Sequence, residues 1–313
     1  MNGRLNGKPV YLYMGLLFCV VCWGSNFIFG AILVQYFRPM EIAFLRLIFI
    51  ILFLLVWFYK PIKRAGSVKT MVVPLIFIGF IGVTLNHWSF YASLTKASPV
   101  TAALILATAP ICTSLINSLV FKERKNTFFW MWSMLGFVGV CMVIMKKGAI
   151  VFGAGEGFIL LTMLTFSVYM VLVERYAKHL SSILLTFYST LVGMILMMVF
   201  LPVSDVSFLK VVPISLWVLL FFTAIIMHGI CPLIWNHCIS NVGSTNTSLL
   251  LNVEPFVAMV VGYIVLKESV SGMQLVGGLL ILLSVTMALY SNRGTLVNID
   301  GKDIKKEIAE RLI

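Results

Sequence analysis

Charged residues are sparse along this chain and fall in clusters, with long apolar runs between them. Residues 9–37, 70–95, 97–121, 126–145, 180–204 and 269–292 each contain no Asp, Glu, Lys or Arg. A helix needs about 20 mostly apolar residues to cross a bilayer, so each of these runs is long enough for one crossing. Residues 211–253 form a charge-free run of 43, too long for one span. It breaks at the turn-like cluster Asn241-Val242-Gly243-Ser244. The pattern predicts ten helices, at about 11–35, 40–59, 71–94, 99–121, 127–145, 156–175, 182–201, 212–239, 244–266 and 270–290. The expected fold class is an all-α polytopic membrane protein.

Composition agrees with lipid as the solvent. Of 313 residues, 61% are hydrophobic and 11% charged. Soluble domains run at about 45–50% apolar and about 25% charged. A soluble enzyme, a DNA-binding protein and a disordered chain are therefore excluded. The net charge of +12 would point to nucleic acid in a soluble protein. Here the basic residues flank apolar runs, as topology signals do, and no nucleic-acid partner is expected. The six cysteines, Cys19, Cys22, Cys112, Cys141, Cys231 and Cys238, all lie within apolar runs. They imply no disulfide framework. Cys19-x-x-Cys22 has the spacing of a metal or redox pair but reads as small packing residues in mid-span.

Lys and Arg set the orientation. With the N-terminus in the cytoplasm, the inside segments hold sixteen Lys and Arg and the outside loops six. That places both termini inside. The expected organisation is a cytoplasmic N-terminus (1–10), a first five-helix repeat (11–145), an external linker (146–155), a second five-helix repeat (156–290) and a cytoplasmic tail (291–313). The first run exceeds the 7–15-residue core of a leader and lacks a clear small-residue cleavage site, so it is expected to stay in the mature protein. In the tail, Ile304, Ile308 and Leu312 make an i, i+4, i+8 stripe, which fits either a short helix on the inner leaflet or a frayed end.

The two halves resemble each other. Shifted by 145, residues 98–123 fall on 243–268 without a gap. Leu104, Leu106, Pro110, Val120, Lys122 and Glu123 then meet Leu249, Leu251, Pro255, Val265, Lys267 and Glu268. Trp23-Gly24-Ser25 falls near Thr165-Phe166-Ser167 at an offset of 142. Five spans per half invert the second copy relative to the first. Inverted repeats support alternating access to a site near the midplane.

Several segments resemble a known family. Trp23-Gly24-Ser25-Asn26-Phe27 is similar to the first-span motif of EamA-type carriers of the drug/metabolite transporter superfamily. Phe44-Leu45-Arg46-Leu47 resembles their second span. The paired segments Ala109-Pro110 to Lys122-Glu123 and Glu254-Pro255 to Lys267-Glu268 complete the likeness, which covers about residues 12–290. The resemblance implies ten helices in inverted five-helix halves and export or exchange of small metabolites. It names no substrate, because members carry amino acids, nucleotide-type metabolites and toxic cations. The first half ends Lys-Glu-Arg rather than the common Gly-Glu, a difference confined to a helix end.

Glu254 is the sharpest candidate for function. It is the one acid near the middle of a predicted span, where a charged carboxylate costs roughly 2.5–3.5 kcal/mol. It suits a proton-coupling or amine-binding role in a cavity. The alternative is a protonated acid bonded to a neighbouring helix, beside a carbonyl freed by Pro255. Arg46 lies seven residues into the second span, roughly 10 Å deep at about 1.5 Å per residue. It suits a substrate carboxylate, a pair with Glu254, or backbone carbonyls. His87 and Tyr91 lie one helical turn apart, as do Asn86 and Phe90, and Phe90 falls opposite Trp235 in the repeat. Such aromatics fit a neutral or zwitterionic organic solute, or ordinary packing. Asn26 beside the Trp-Gly-Ser turn fits the same pathway. The expected substrate-binding set is Asn26, Arg46, His87, Phe90, Tyr91 and Trp235, with Glu254 as the proton-coupling residue.

Other polar residues read as structural. His228 and His237 flank Pro232, but no spacing of His or Cys supports a metal, and no cofactor is expected. Thr101, Thr108, Asn246 and Asn252 read as hydrogen bonds between helices. Gly136-x-x-Gly139 and Gly277-Gly278 read as close helix packing, with a homodimer contact as the alternative. No glycine-rich phosphate loop appears, so the chain by itself has no ATP-binding motif. The expected function is a secondary transporter, an exporter of a small organic metabolite in a bacterial cytoplasmic membrane, not an enzyme. A membrane receptor or assembly protein, and an intramembrane enzyme using His87, His228 and Glu254, are the alternatives.

Overall fold

Apolar runs bounded by Pro, Ser and Asn become helices close to the expected lengths. A computed structural model describes residues 10–64, 69–121, 126–146, 149–150, 152–176, 180–200, 212–242, 250–288 and 290. The helices are α1 (Val10–Leu33), α2 (Pro39–Lys63), α3 (Val72–Leu94), α4 (Pro99–Val120), α5 (Thr127–Val143), α6 (Ala154–Tyr176), α7 (Ser182–Phe200), α8 (Ile214–Cys238), α9 (Leu251–Leu266) and α10 (Gly272–Ala288). Seven of them, α1–α4 and α6–α8, are long and apolar enough to cross a membrane. α5, α9 and α10 are shorter apolar helices. The fold class is all-α and polytopic; its strand content among the described residues is a two-residue pairing of Met145–Lys146 with Ala149–Ile150. The expected features at Asn246, the Gly243-Ser244 turn, the Lys122-Glu123 pair, both termini and the 304–312 stripe lie outside the described residues.

Local chemistry sets the helix ends. Ser98 accepts the Thr101 amide ahead of Pro99 at the start of α4, and Asn126 accepts the Phe129 amide at the start of α5. Each satisfies an amide that the first helical turn leaves free. Ser271 and Gln274 form a reciprocal capping box before α10. α9 ends on Lys267, whose φ of 55° is left-handed. Large apolar side chains point outward along the bundle, among them Val56, Trp57, Met134, Phe137, Val199 and Ile264, all more than half exposed. Lipid is the solvent that tolerates such a surface.

Five helices depart from ideal geometry, and the repeat relates four of the breaks in two pairs. α2 kinks at Phe58, next to the Trp57 carbonyl that the Pro61 ring crowds. α3 winds as a π-helix over Ile78–Leu85, and α8 does so over Ala224–Ile230. At the 145-residue offset these stretches nearly coincide. α4 breaks at Ala107–Thr108 and resumes at Ala109, with Pro110 second in the new segment. The described part of α9 has a 3-10 turn at Leu251–Val253 and is α-helical from Glu254, with Pro255 second. Proline suits a first helical turn because its missing N–H would have no intrahelical partner there. Glu254 therefore stands in the first turn of an α-helical segment. In the sequence pattern the same residue lies near the middle of the ninth span.

The repeats interlock. α1 packs on α8 and α9 of the second repeat, and α6 packs on α3 and α4 of the first. α2 packs on α7 and α8, and α7 on α2 and α3. Each contact has its counterpart when the repeats are exchanged. α5 meets α10 the same way: a Cβ on Gly139 would lie 2.8 Å from the Gly277 carbonyl oxygen, and one on Gly277 2.7 Å from that of Gly139. These glycines serve the packing of α5 on α10 within one chain. Alanine at either position overpacks backbone against backbone, at about 1–3 kcal/mol. Gly139→Ala and Gly277→Ala are each expected to lower the thermal unfolding midpoint in detergent; an unchanged midpoint contradicts this packing account.

Candidate functional site

The helix breaks surround a cavity of about 140 Å³ between the two repeats. Its wall is built from α1 (Trp23, Asn26, Phe27), α2 (Leu47, Ile50), α3 (Gly82 to Tyr91), α4 (Leu106, Ala107), α6 (Thr162 to Met170), α7 (Thr186, Ser189, Thr190), α8 (His228 to Asn236) and α9 (Leu251, Glu254). Loops 34–38, 95–98 and 267–271 lie on one face of the bundle, called here the α1–α2 face. The cavity has Phe90 and Tyr91 of α3 towards this face, and on the α7–α8 side it reaches towards the other face. There α7 contributes residues from its first three turns, α8 contributes Trp235 and Asn236 near its end, and α9 contributes its described beginning.

Trp23 shows how the sequence makes this wall. In the π stretch of α8, the Cys231 amide bonds to the Ile226 carbonyl, five residues back. Residue 232, the next that could reach the Met227 carbonyl in that register, is proline and has no N–H. Trp23 Nε1 donates to that carbonyl at 2.6 Å, from the other repeat. Its ring then lies 4.8 Å from that of Trp235, at a 55° tilt. Phe27 meets Phe90 edge-on at 5.2 Å. Asn86 donates to the Thr162 carbonyl and the Thr165 hydroxyl, each at 3.0 Å, joining α3 to α6. Ser167 donates to the Ala109 carbonyl at the break in α4, at 3.1 Å. Its repeat counterpart is Ser25, and at the neighbouring Gly24 a Cβ would lie 2.8 Å from the Glu254 carbonyl at the break in α9.

Arg46 is fully buried. Its Nη1 donates to Asn26 Oδ1 at 3.0 Å and to the Tyr91 hydroxyl. Its Nη2 donates to the Thr223 carbonyl at 2.8 Å and to His228 Nδ1 at 2.9 Å. A guanidinium has no acceptor, so His228 Nδ1 offers its lone pair and carries its ring proton on Nε2. The guanidinium carbon sits 5.4 Å from the Tyr91 ring centre. The His87 and His228 rings meet edge-on at 4.7 Å.

Of the residues expected at the site, Asn26, His87, Phe90, Tyr91, Trp235 and Glu254 line this one cavity. Arg46 stands behind the wall, bonded to three residues that line or adjoin it, and makes no ion pair with Glu254. Some lining residues carry polar groups without a partner among the described residues. His87 Nδ1 and Trp235 Nε1 are buried and unbonded, and the Glu254 carboxyl, 7% exposed, has no hydrogen-bond or ion-pair partner among the described residues. Unpaired buried polar groups are rare in proteins, so these groups need a partner that the protein does not supply, water or a bound solute. Sequence reasoning missed Trp23 as a bonded wall residue, the α6 face of Thr162, Phe166 and Tyr169, and the α7 face of Thr186, Ser189 and Thr190. For Trp23 the signal was Pro232 in the facing helix. The hydroxyls carry no signal, since many Ser and Thr of this chain bond back to their own helix.

Residues read as structural do act between helices. Gln274 donates to Thr101 at 3.0 Å, and Asn252 to Thr286 at 3.1 Å. Cys19 and Cys231 are buried free thiols, and Cys19 Sγ lies 3.4 Å from the Cys231 carbonyl. Among the described residues no group of His, Cys, Asp and Glu has the geometry of a metal site.

A helical membrane protein with two interlocked repeats around a polar-tipped cavity is the architecture of a transporter. Residues 10–145 and 153–290 each match the EamA-like transporter family, and the chain belongs to it. It is 26% identical to the uncharacterized transporter YyaM of Bacillus subtilis, over 90% of this chain and 94% of that protein. It is 25% identical to the uncharacterized transporter YdfC of the same organism, over 87% and 88%. A solved crystal structure superposes with a TM-score of 0.61 at 16% identity, covering 90% of this chain and 97% of that one, which shows the fold alone. The chain is thus an integral membrane transporter of the drug/metabolite type, not an enzyme. Trp23→Phe keeps the ring but strips the Met227 carbonyl of its donor, at about 1–3 kcal/mol. Its thermal midpoint in detergent is expected to fall further than that of Trp235→Phe, which removes an N–H without a partner. The reverse order contradicts the assigned bond.

Proposed function

We propose that this transporter is a secondary exporter of a small organic metabolite, working by alternating access between its two repeats. The observation that carries the reading is the convergence of three unpartnered polar groups, Glu254, His87 Nδ1 and Trp235 Nε1, on one aromatic cavity between the repeats. The volume, about 140 Å³, is comparable to the ~150 Å³ cavity that admits a benzene-sized ligand. That favours a solute with few heavy atoms. Aromatic walls and a carboxyl favour a neutral, zwitterionic or cationic solute. The Arg46 Nη donors are engaged by the protein, so Arg46 acts through Asn26, Tyr91 and His228. All of α1–α10 span the membrane in this reading, as repeats 11–145 and 156–290 with both termini in the cytoplasm of a bacterial cell. Glu254 is the proton site: it binds a proton in one half-cycle and releases it, or exchanges it for the solute, in the other.

The test is counterflow in proteoliposomes with pooled labelled amino acids, nucleosides, vitamins and organic cations at two pH values. Saturable exchange of one class that changes with pH is the expected result. Glu254→Gln, which keeps the shape and cannot ionise, is expected to abolish accumulation driven by a pH gradient. Unchanged gradient-driven accumulation in that variant removes Glu254 from the coupling. Absence of flux for every class contradicts the metabolite reading.

A further inference from the structure

The two repeats place different residues at equivalent positions beside the cavity, and the difference has a geometric consequence. α2 and α7 start at Pro39 and Ser182, which aligns Arg46 with Ser189. The 145-residue offset that matches Pro110 to Pro255 aligns Tyr91 with Asn236. Arg46 bonds within its own repeat to Asn26 and Tyr91, and across to the other repeat at the Thr223 carbonyl and His228. Ser189 donates only to the Leu185 and Thr186 carbonyls of its own helix. Asn236 donates to Thr186, at 3.5 Å, within its own repeat. Ser189 and Asn236 line the cavity, whereas Arg46 is 0% exposed and lies outside the lining. Arg46 thus ties the repeats on the α1–α2 side of the cavity, whereas on the other side the equivalent residues make no bond between repeats and a cross-repeat bond there is the weak one from Cys238 Sγ to the Leu12 carbonyl, at 3.5 Å.

We propose, on the alternating-access reading above, that Arg46 is the tie that holds the cavity closed towards the α1–α2 face. Opening to that face breaks its bonds to the Thr223 carbonyl and His228, and Arg46 moves with Asn26 and Tyr91 as part of its own repeat. The acceptors suit a reversible tie. Charge-assisted bonds to neutral groups are strong enough to hold a conformation, and no buried carboxylate is left behind when they part. The cationic head keeps two bonds, to Asn26 and Tyr91, in both states. Both acceptors on α8 sit at its π stretch, where Thr223 precedes Ala224–Ile230 and His228 lies within it. Such stretches interrupt helices at functional positions.

The test is hydrogen–deuterium exchange of the full chain in lipid nanodiscs, without solute, for the native protein and Arg46→Gln. Loss of the two cross-repeat bonds is expected to speed exchange at least about tenfold at 34–38 and 212–217, on the α1–α2 face, since one lost charge-assisted bond alone shifts an opening equilibrium by about that factor. Segment 182–190, on the other face, is expected to exchange no faster than in the native protein. A rise of equal size at both faces, which a merely structural role gives, or no change at 34–38 and 212–217, overturns the proposal. Should Arg46→Gln fail to fold, His228→Phe removes one cross-repeat acceptor, leaves the guanidinium with Asn26 and Tyr91, and is held to the same outcomes. Exchange is read without any solute, so a failed transport assay and a failed tie are separate results.

Discussion

Within lipid, each backbone carbonyl that a helix leaves unpaired must find a donor inside the protein, because no water is there to supply one. Much of this cavity follows from that constraint. The helices break in corresponding places of the two repeats, and side chains from other helices meet the carbonyls at or beside the breaks. Trp23 takes Met227 and Arg46 takes Thr223. Each bond crosses from one repeat to the other. The same interruptions that disturb the helices therefore join the halves, and the cavity lies where they converge.

Charge is placed under the same constraint. Arg46 is buried without an acid, with its two Nη atoms engaged in hydrogen bonds. Glu254 is the reverse: an acid on the wall without a partner among the described residues. A fixed, solvated-by-protein cation and an uncommitted carboxyl have different uses. The first organises Asn26, Tyr91 and His228; the second is the group that a proton or an amine would meet.

Hydrophobic periodicity located the helices closely, because lipid imposes length and apolarity on every residue of a span. The start of α4 at Pro99 and of α7 at Ser182 are as expected. Six expected site residues share the cavity because the repeat, with its two prolines, marks the breaks that line it. What stayed hidden depends on packing across elements. The Trp23 bond needs the π register of α8. The placement of Arg46 behind the wall needs its distances to α1, α3 and α8 together. The start of the α-helical part of α9 at Glu254 needed the paired α4 break, which Ala107-Thr108 does not announce in sequence.

A reporter on the wall of the cavity tests alternating access. A cysteine at Thr190, in a variant lacking the six native thiols, is exposed to membrane-impermeant thiol reagent applied to one side of sealed vesicles and then the other. The account predicts labelling from both sides. Labelling from one side only, in protein that folds and inserts normally, contradicts it.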